Sequence, residues 1–555
     1  MRMRCLSALP PMHIVLYAGW KTIPTGDERI AGKEHNMKKH WKLIALMLVL
    51  SMLLSCMLTG CKQANPDVTT GDGGQTTVTR DTLNYGLPQE PGKLDPQNDS
   101  LLVSKMTNKQ IYDTLFVVDD NTMEIKANLA TEWNWTDDLT LDVTIRDDVV
   151  FHNGEKLTAH DVAYTLERCA VGNATATLFS SFDVENTVVT DDTHITIKMK
   201  QPYASALNVL ANAISGIVCK SYAESVDEMT FGREPVGTGA FKFVEWVSGD
   251  HITLTRNDAY WGHKPAYTTL NLRIINDNSA RAIELETGGI DLTDSLTITT
   301  DIARFEDDPT IDVYKIPSTK VVYLAFNEQH PILGNETVRR AIAHAIDADS
   351  VRKAAYGNGA ILATSSIPST VYGYKNVGGY EYNVELAKQL LVEAGYADGF
   401  SFNTVCPSVA ASVKTAEAIK AFLAEVNINM EIEQYDAATW RGTKMRDGSA
   451  DSAPYNLTAD TLDPDQNYMH LYADSGFVTV STQHETVNRL LVEGRGETDN
   501  AKRLAIYAEL QEYIKEHVIE IPLVENIINY AAKTYVKGFV PNVGVQPDLK
   551  YVYFE

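Results

Sequence analysis

The spacing of apolar positions switches repeatedly between two periods along the chain. Leu141, Val143 and Ile145 alternate with polar residues, as do Ile195, Ile197 and Met199, which predicts half-buried strands. Between them, Thr158-Ala159-His160-Asp161 has the spacing of a capping box and opens an expected helix whose Val162, Leu166 and Cys169 share a face. The second half is more regular. Val338, Ala341, Ile342, Ala345 and Ile346 form a helical stripe. Asn383 is placed to cap a helix through Leu386, Leu390 and Leu391 that ends at Gly395. Ile419, Phe422, Leu423 and Val426 make another stripe, and shortly after it Ile428, Met430 and Ile432 alternate as a strand. A last helix is expected over about Ala501–Glu516, before Ile521-Pro522-Leu523 and a strand-like ending. Helix, short connection, strand is the rhythm of packed α/β layers.

A different pattern stands near the start. Lys38, Lys39 and Lys42 precede 18 uncharged residues, Leu43–Gly60, the layout of a secretory signal. The run lies at the lower edge of bilayer-spanning length, and Ser51, Ser55, Cys56 and Thr59 interrupt its last turns. Leu58-Thr59-Gly60-Cys61 resembles the bacterial lipobox, which makes Cys61 the expected lipidation site and anchor to the outer face of the membrane. Residues 61–80, rich in Gly, Thr, Asp and Gln, have no period and suit a flexible tether. Residues 37–60 are thus expected to be a signal peptide beginning at Met37. Residues 1–36, with no signal layout of their own, are expected to be a mis-assigned extension.

Removing the leader sharpens the charge. Of 48 Lys and Arg and 73 Asp and Glu, eight and three precede Cys61, which leaves the 495 residues from Cys61 onward at −30. Such a surface is a poor partner for nucleic acid or anionic headgroups and mildly favours cationic ligands. Cys169, Cys219 and Cys406 are an odd number at distant positions, no disulfide framework and no metal spacing; they read as small buried hydrophobes.

Catalytic signals are sparse. There is no Gly-x-Ser-x-Gly elbow and no His-Glu-x-x-His motif. Gly237-Thr238-Gly239 lacks Walker spacing and reads as a tight turn. Asp463-Pro464-Asp465-Gln466-Asn467 begins like a calcium loop but has Tyr468 where the turn needs glycine and Asp474 where the loop needs glutamate. His152, in Phe-His-Asn-Gly, reads as a turn residue. No nucleophile, base and oxyanion group assemble, so the residues describe a binding protein without enzymatic activity, metal or cofactor.

"IRDDVVFHNGEKLTAHDVAYTLER" (Ile145–Arg168) resembles the signature of family 5 extracellular solute-binding proteins, the oligopeptide, dipeptide and nickel receptors of ABC importers. The resemblance continues through "PVGTGAFKFVEW" (Pro235–Trp246), "RNDAYWG" (Arg256–Gly262), "ARAIELETGGIDL" (Ala280–Leu292), "YLAFN" (Tyr323–Asn327), "VRRAIAHAID" (Val338–Asp347), "AKQLLVEAGY" (Ala387–Tyr396) and "VKGF" (Val536–Phe539), in family order. It implies an α/β, bilobal, periplasmic-binding-protein-like type II fold that closes about a hinge. Lobe I would span about 81–318 and return over 522–555, with an extra subdomain near 111–230; lobe II would span about 319–521. A monomer that hands its ligand to permease subunits follows from that mechanism.

By the same resemblance, Ala459-Asp460-x-x-Asp463-Pro464 matches the stretch where peptide-binding members set an aspartate against the ligand's α-ammonium group, and Asp460 takes that position. A desolvated ammonium needs a carboxylate partner, although a solvated loop acid or helix cap is the plainer reading of Asp460. Asp463, before Pro464, reads as turn chemistry. Trp440, Tyr455 and Tyr468, with Tyr435, flank this region and are candidates to bury ligand side chains or stack on cations, against the plainer reading that they are core. Dipeptide-binding relatives carry an arginine for the peptide carboxylate in the loop corresponding to Cys406–Thr415; here there is only Lys414. That favours oligopeptides over strict dipeptides, or another amine-bearing solute. A nickel chelate, haem, sugar or opine-like ligand remains open on the same fold. A secreted peptide hydrolase would need a constellation that the sequence lacks, and a regulator would need a DNA-binding module.

Overall fold

A computed structural model describes residues 80–119, 124–445, 449–468 and 484–555. The extension, the signal segment, Cys61 and the tether up to Thr79 lie outside the described residues, as do Met469–Tyr472 at the end of the candidate ligand stretch.

Most expected elements form where the apolar spacing places them. The helix Ala159–Val171 opens on Thr158 and Asp161, which make both reciprocal bonds of a capping box. Asn383 caps Val384–Glu393 through its side chain, and Gly395 adopts φ +86° just beyond the helix end. The predicted final helix is Asn500–Glu516.

An eleven-stranded sheet organises the compact unit Thr79–Glu555. From one edge its strands run Ile428–Tyr435, Phe400–Pro407, Ser452–Thr458, Ile311–Phe326, Glu520–Lys533, Leu292–Thr293, Thr82–Leu87, Thr269–Ile274, His251–Arg256 and Phe241–Val247, and Ala360–Leu362 also pairs with Glu520–Lys533. Two strands are exceptional in length, Ile311–Phe326 with 16 residues and Glu520–Lys533 with 14. At about 3.3 Å per residue each spans roughly 45–50 Å, enough to leave one hydrophobic core and enter another. Ile528, Tyr530 and Ala532 belong to a first core with Leu83, Tyr85, Leu270 and Leu272. Leu523, Val524, Val322 and Leu324 belong to a second core with Val338, Ile342, Ile419 and Leu423. Between them the antiparallel register slips from Pro317 to Val321 and again from Val322 to Tyr323, irregularities that bend a ribbon locally. We call the parts built on these cores the first and second bodies.

A third core, containing Leu115, Leu141, Val162, Phe182, Ile197 and Val209, packs around the four-stranded sheet that includes Ala130–Asp137, Thr140–Ile145 and His194–Lys198. Gly237-Thr238-Gly239 ties this part to the first body. A Cβ on either glycine would collide with the Ile111 carbonyl at the end of the helix Leu102–Ile111, and the Gly239 amide donates to that carbonyl at 2.8 Å. Close backbone approach therefore accounts for the two glycines. His152 accepts from the Gly237 amide at Nδ1 (3.4 Å) and pairs through Nε2 with the Gly239 carbonyl (3.0 Å). Burial holds its imidazole neutral, with a pKa lowered to about 4. Cys169, Cys219 and Cys406 are buried free thiols. Among the described residues no helix is long and apolar enough to cross a membrane.

Candidate functional site

The loop that follows the strand Ser452–Thr458 is fixed at nearly every residue. The Ala459 amide donates to the Thr319 carbonyl at 2.9 Å, and the Thr461 amide donates to Gln466 Oε1 at 2.8 Å. Asp463 caps the short helix Pro464–Asn467, whose proline sits at the helix start where no amide hydrogen is needed. The Asp463 carboxylate also receives both Arg503 terminal nitrogens, at 2.7 and 2.8 Å, and the Ser205 hydroxyl at 2.8 Å. Burial works against the Arg503 charge, but Asp463 overrides it and holds the guanidinium well above its ordinary pKa. Asp463 does more than shape a turn: it is a helix cap within a bidentate ion pair. Asp465 is held in the same manner by Arg495, at 2.9 and 3.1 Å.

The other flank of the loop meets the part built on the third core. Asn208 Nδ2 donates to the Thr461 carbonyl at 3.1 Å and Asn212 Nδ2 to the Asp460 carbonyl at 2.7 Å. The Asp460 backbone is thereby pinned and its side chain points away from these bonds to Lys105, whose Nζ lies 2.9 Å from Oδ2. Lys105 comes from the helix Leu102–Ile111 of the first body and is 5% exposed, whereas Asp460 is 22% exposed.

Asp460, Thr461 and Leu462 form one wall of a cavity of about 600 Å³. Tyr112 and Asp113, Tyr260–His263, Asn208 and Asn212, and Gln546, Asp548 and Lys550 line the rest. The far wall is a charge network. Asp113 accepts from Thr238 Oγ1 and Tyr260 OH at 3.0 Å each and from Trp261 Nε1 at 3.1 Å, so it positions two aromatic rings at the cavity. Burial pushes the Asp113 carboxyl up, with Lys550 opposing. Burial likewise opposes the Lys550 charge, yet Asp548 and Asp113 hold it protonated above the ordinary lysine range. A cavity with aromatic walls and charges of both signs can take a ligand with ammonium, amide and apolar parts. Among the described residues no group of three or more His, Cys, Asp or Glu is placed to hold a metal.

Of the four candidate ligand residues, only Asp460 lines this cavity. Trp440 is 4% exposed, donates through Nε1 to the Val405 carbonyl at 3.3 Å, and packs 5.6 Å from the ring of Tyr455. Tyr455 is fully buried between Trp440 and Tyr323. Tyr468 is fully buried, stacks on Tyr507 and shares a 2.8 Å bond with Ser366. The plainer reading, core, describes where these three aromatics sit. Lys414 is exposed on the helix Ala410–Ala424. Sequence reasoning missed Lys105, Asn208 and Asn212, and it read the C-terminal segment as a return to lobe I without marking Gln546, Asp548 and Lys550 as cavity residues.

A model of the family described as "Bacterial extracellular solute-binding proteins, family 5 Middle" matches residues 124–478. The chain belongs to this family. Family 5 solute-binding proteins are extracytoplasmic receptors of type II periplasmic-binding-protein fold, and they bind without catalysing a reaction. This family 5 chain is similar to the dipeptide-binding protein of Escherichia coli K12, at 26% identity over 84% of this chain and 93% of that protein. It is equally similar, at 26%, to heme-binding protein A of Haemophilus influenzae, over 78% of this chain and 85% of that one. The solved structure of the ABC transporter-associated periplasmic binding protein DppA from Helicobacter pylori in complex with the peptide STSA superposes with a TM-score of 0.71, at 27% identity over 85% of this chain and 98% of that chain.

Proposed function

We propose that this family 5 receptor serves an ABC importer and binds peptides with a free amino terminus, oligopeptides more than strict dipeptides, by closure of two lobes about the ribbon formed by Ile311–Phe326 and Glu520–Lys533. In this reading lobe I is 81–318 with 522–555, lobe II is 319–521, and a lipid on Cys61 holds the monomer at the outer membrane face beside its permease. The observation that carries the peptide assignment is the Asp460 carboxylate: it stands at the cavity wall on a loop fixed by backbone bonds, and it already accommodates an alkylammonium group at 2.9 Å. A charge-assisted bond of that geometry suits a peptide's α-ammonium. Tyr468 shares a core cluster with Ala459 of the loop, and Trp440 and Tyr455 pack in the cluster that includes Ala453 of the preceding strand.

The segment Cys406–Thr415 offers no arginine to a peptide carboxylate, and Lys414 faces solvent. That observation favours ligands whose carboxylate is held elsewhere and keeps amine-bearing non-peptide solutes as the second reading. The test is native mass spectrometry of gently purified Lys62–Glu555, which contains the whole compact unit and all of its tether but Cys61, followed by sequencing of what denaturation releases. Peptides with free amino termini are expected. A single non-peptide mass overturns the peptide assignment and leaves the family and fold in place.

A further inference from the structure

Lys105 and Asp460 are separated by 355 positions in sequence, Lys105 on the helix Leu102–Ile111 of the first body and Asp460 on the loop after Ser452–Thr458. Each is the other's sole side-chain hydrogen-bond partner among the described residues. That sets this pair apart from its neighbours, since Asp463 keeps Arg503, and Asp465 keeps Arg495, with or without the first body. The Asp460 backbone also keeps its place without Lys105, because Asn212 holds the Asp460 carbonyl and Gln466 holds the adjacent amide. One turn along the helix from Lys105, at the spacing that shares a face, Asn108 is 1% exposed, and neither atom of its side-chain amide has a partner. A further turn on, Tyr112 lines the cavity. This face of the helix Leu102–Ile111 therefore carries an ammonium seated on the candidate ligand carboxylate, then an amide with an unused donor and acceptor.

We propose that Lys105 is the resident occupant of the ligand-ammonium position, so that a ligand binds Asp460 by exchanging its own ammonium for that of Lys105. Two ammonium groups cannot share one carboxylate at contact distance without mutual repulsion. The incoming group must therefore release the lysine, whose flexible four-carbon stem can swing its charge into the cavity mouth. Electrostatic gain from the new pair is largely offset by loss of the old one. Lys105 thereby lowers affinity for every ammonium ligand and screens out weak amines. Its removal leaves an unneutralised carboxylate ready for the ligand.

The ligand half of this inference rests on the proposed role of Asp460, whereas the resident pair can be tested without any ligand. Amine labelling of native Lys62–Glu555 with an N-hydroxysuccinimide acetate, read by peptide mapping, is expected to find Lys105 protected. In Asp460→Asn its labelling rate should rise about tenfold or more, the equivalent of some 1.4 kcal/mol. Unchanged labelling in Asp460→Asn would overturn the pair as the cause of protection, whatever peptides do. Tetra-alanine and its N-acetylated form then serve as probes. The free-amino peptide is expected to expose Lys105 to labelling and to bind Lys105→Met about tenfold or more tightly than wild type or Lys105→Arg; the acetylated form should show no such gain. Weaker or unchanged binding to Lys105→Met overturns the exchange. Failure of both peptides to bind any variant overturns the exchange together with the peptide assignment, and the Asp460→Asn labelling still decides whether Lys105 occupies the carboxylate.

Discussion

Asp460 and Asp463 stand three residues apart in one loop, and their surroundings could hardly differ more. Asp463 is almost fully buried, accepts two guanidinium bonds and a serine hydroxyl, and caps a helix. Asp460 is partly exposed, accepts a single ammonium bond, and takes it from a helix of the first body. The first arrangement is redundant, so loss of one contact leaves others to keep the geometry. The second has no redundancy and can change partner. A carboxylate held many ways builds the site; a carboxylate held one way is free to use it.

The strongest way to break this contrast is Arg503→Met. Leaving a buried carboxylate without its partner costs about 3–5 kcal/mol, which denaturant titration should register as a large fall in stability in the presence or absence of ligand. A wild-type-like midpoint would put Asp463 on the same footing as Asp460. Next in size is a pH effect at the junction behind the Lys105 helix. His152 binds its proton with a pKa of about 4 in the folded chain against an ordinary 6.5, so the unfolded state takes up more protons between these values. Stability is fully present above pH 6.5 and is lost as pH falls toward 4, by on the order of 2–3 kcal/mol. The expected check is a pH series of unfolding midpoints in which His152→Gln flattens this slope.

Asp460→Asn should lower affinity for free-amino peptides by about 10- to 100-fold in the Lys105→Met background, from loss of a charge-assisted bond, and by less where release of Lys105 offsets that bond, while moving the unfolding midpoint less than Arg503→Met. Calorimetry and thermal melts on one preparation separate the two effects; a melt shift as large as that of Arg503→Met would mean that Asp460 is structural. The smallest change is Tyr468→Phe, which removes the Ser366 bond and should cost about 1 kcal/mol with unaltered peptide affinity. Altered affinity would bring that ring into the ligand site.

Local pattern carried the helices and strands because their causes are local. The Thr158 and Asn383 caps, the stripe from Val338 to Ile346 and the alternation from Ile428 to Ile432 are each written within a dozen residues. The order of family motifs carried the architecture. Asp460 was singled out because a short motif marks its loop. Its partner was not, because "LVSKMTNKQI" reads as an ordinary polar helix although eight of its ten residues are buried, and burial of so polar a helix depends on packing from distant segments. The aromatics near Asp460 illustrate the converse limit. Residue type says that Trp440, Tyr455 and Tyr468 want apolar surroundings, but whether these come from a ligand or from Tyr323, Val405 and Tyr507 depends on which way the strand and loop face. The doubled glycine at 237 and 239 was legible as a turn but not in its purpose, since the Ile111 carbonyl it accommodates lies 126 positions away from the first of them.

The long ribbon between the two bodies also orders the steps by which the molecule can fold. The sheet of the first body begins with Thr82–Leu87, yet its inner edge at Leu292–Thr293 is closed by Glu520–Lys533. The second body's helices and strands lie almost wholly between those segments, so most of its core forms from sequence-near contacts. The first body instead waits for a strand more than 200 residues later, and closing so long a loop is slow. A nascent or newly exported chain thus has a compact second body beside an unfinished first sheet with an exposed strand edge, and such an edge invites pairing with other chains. Aggregation-prone intermediates of this protein should expose Leu292–Thr293, and a chaperone that shields that edge until Glu520–Lys533 arrives would raise its folding yield.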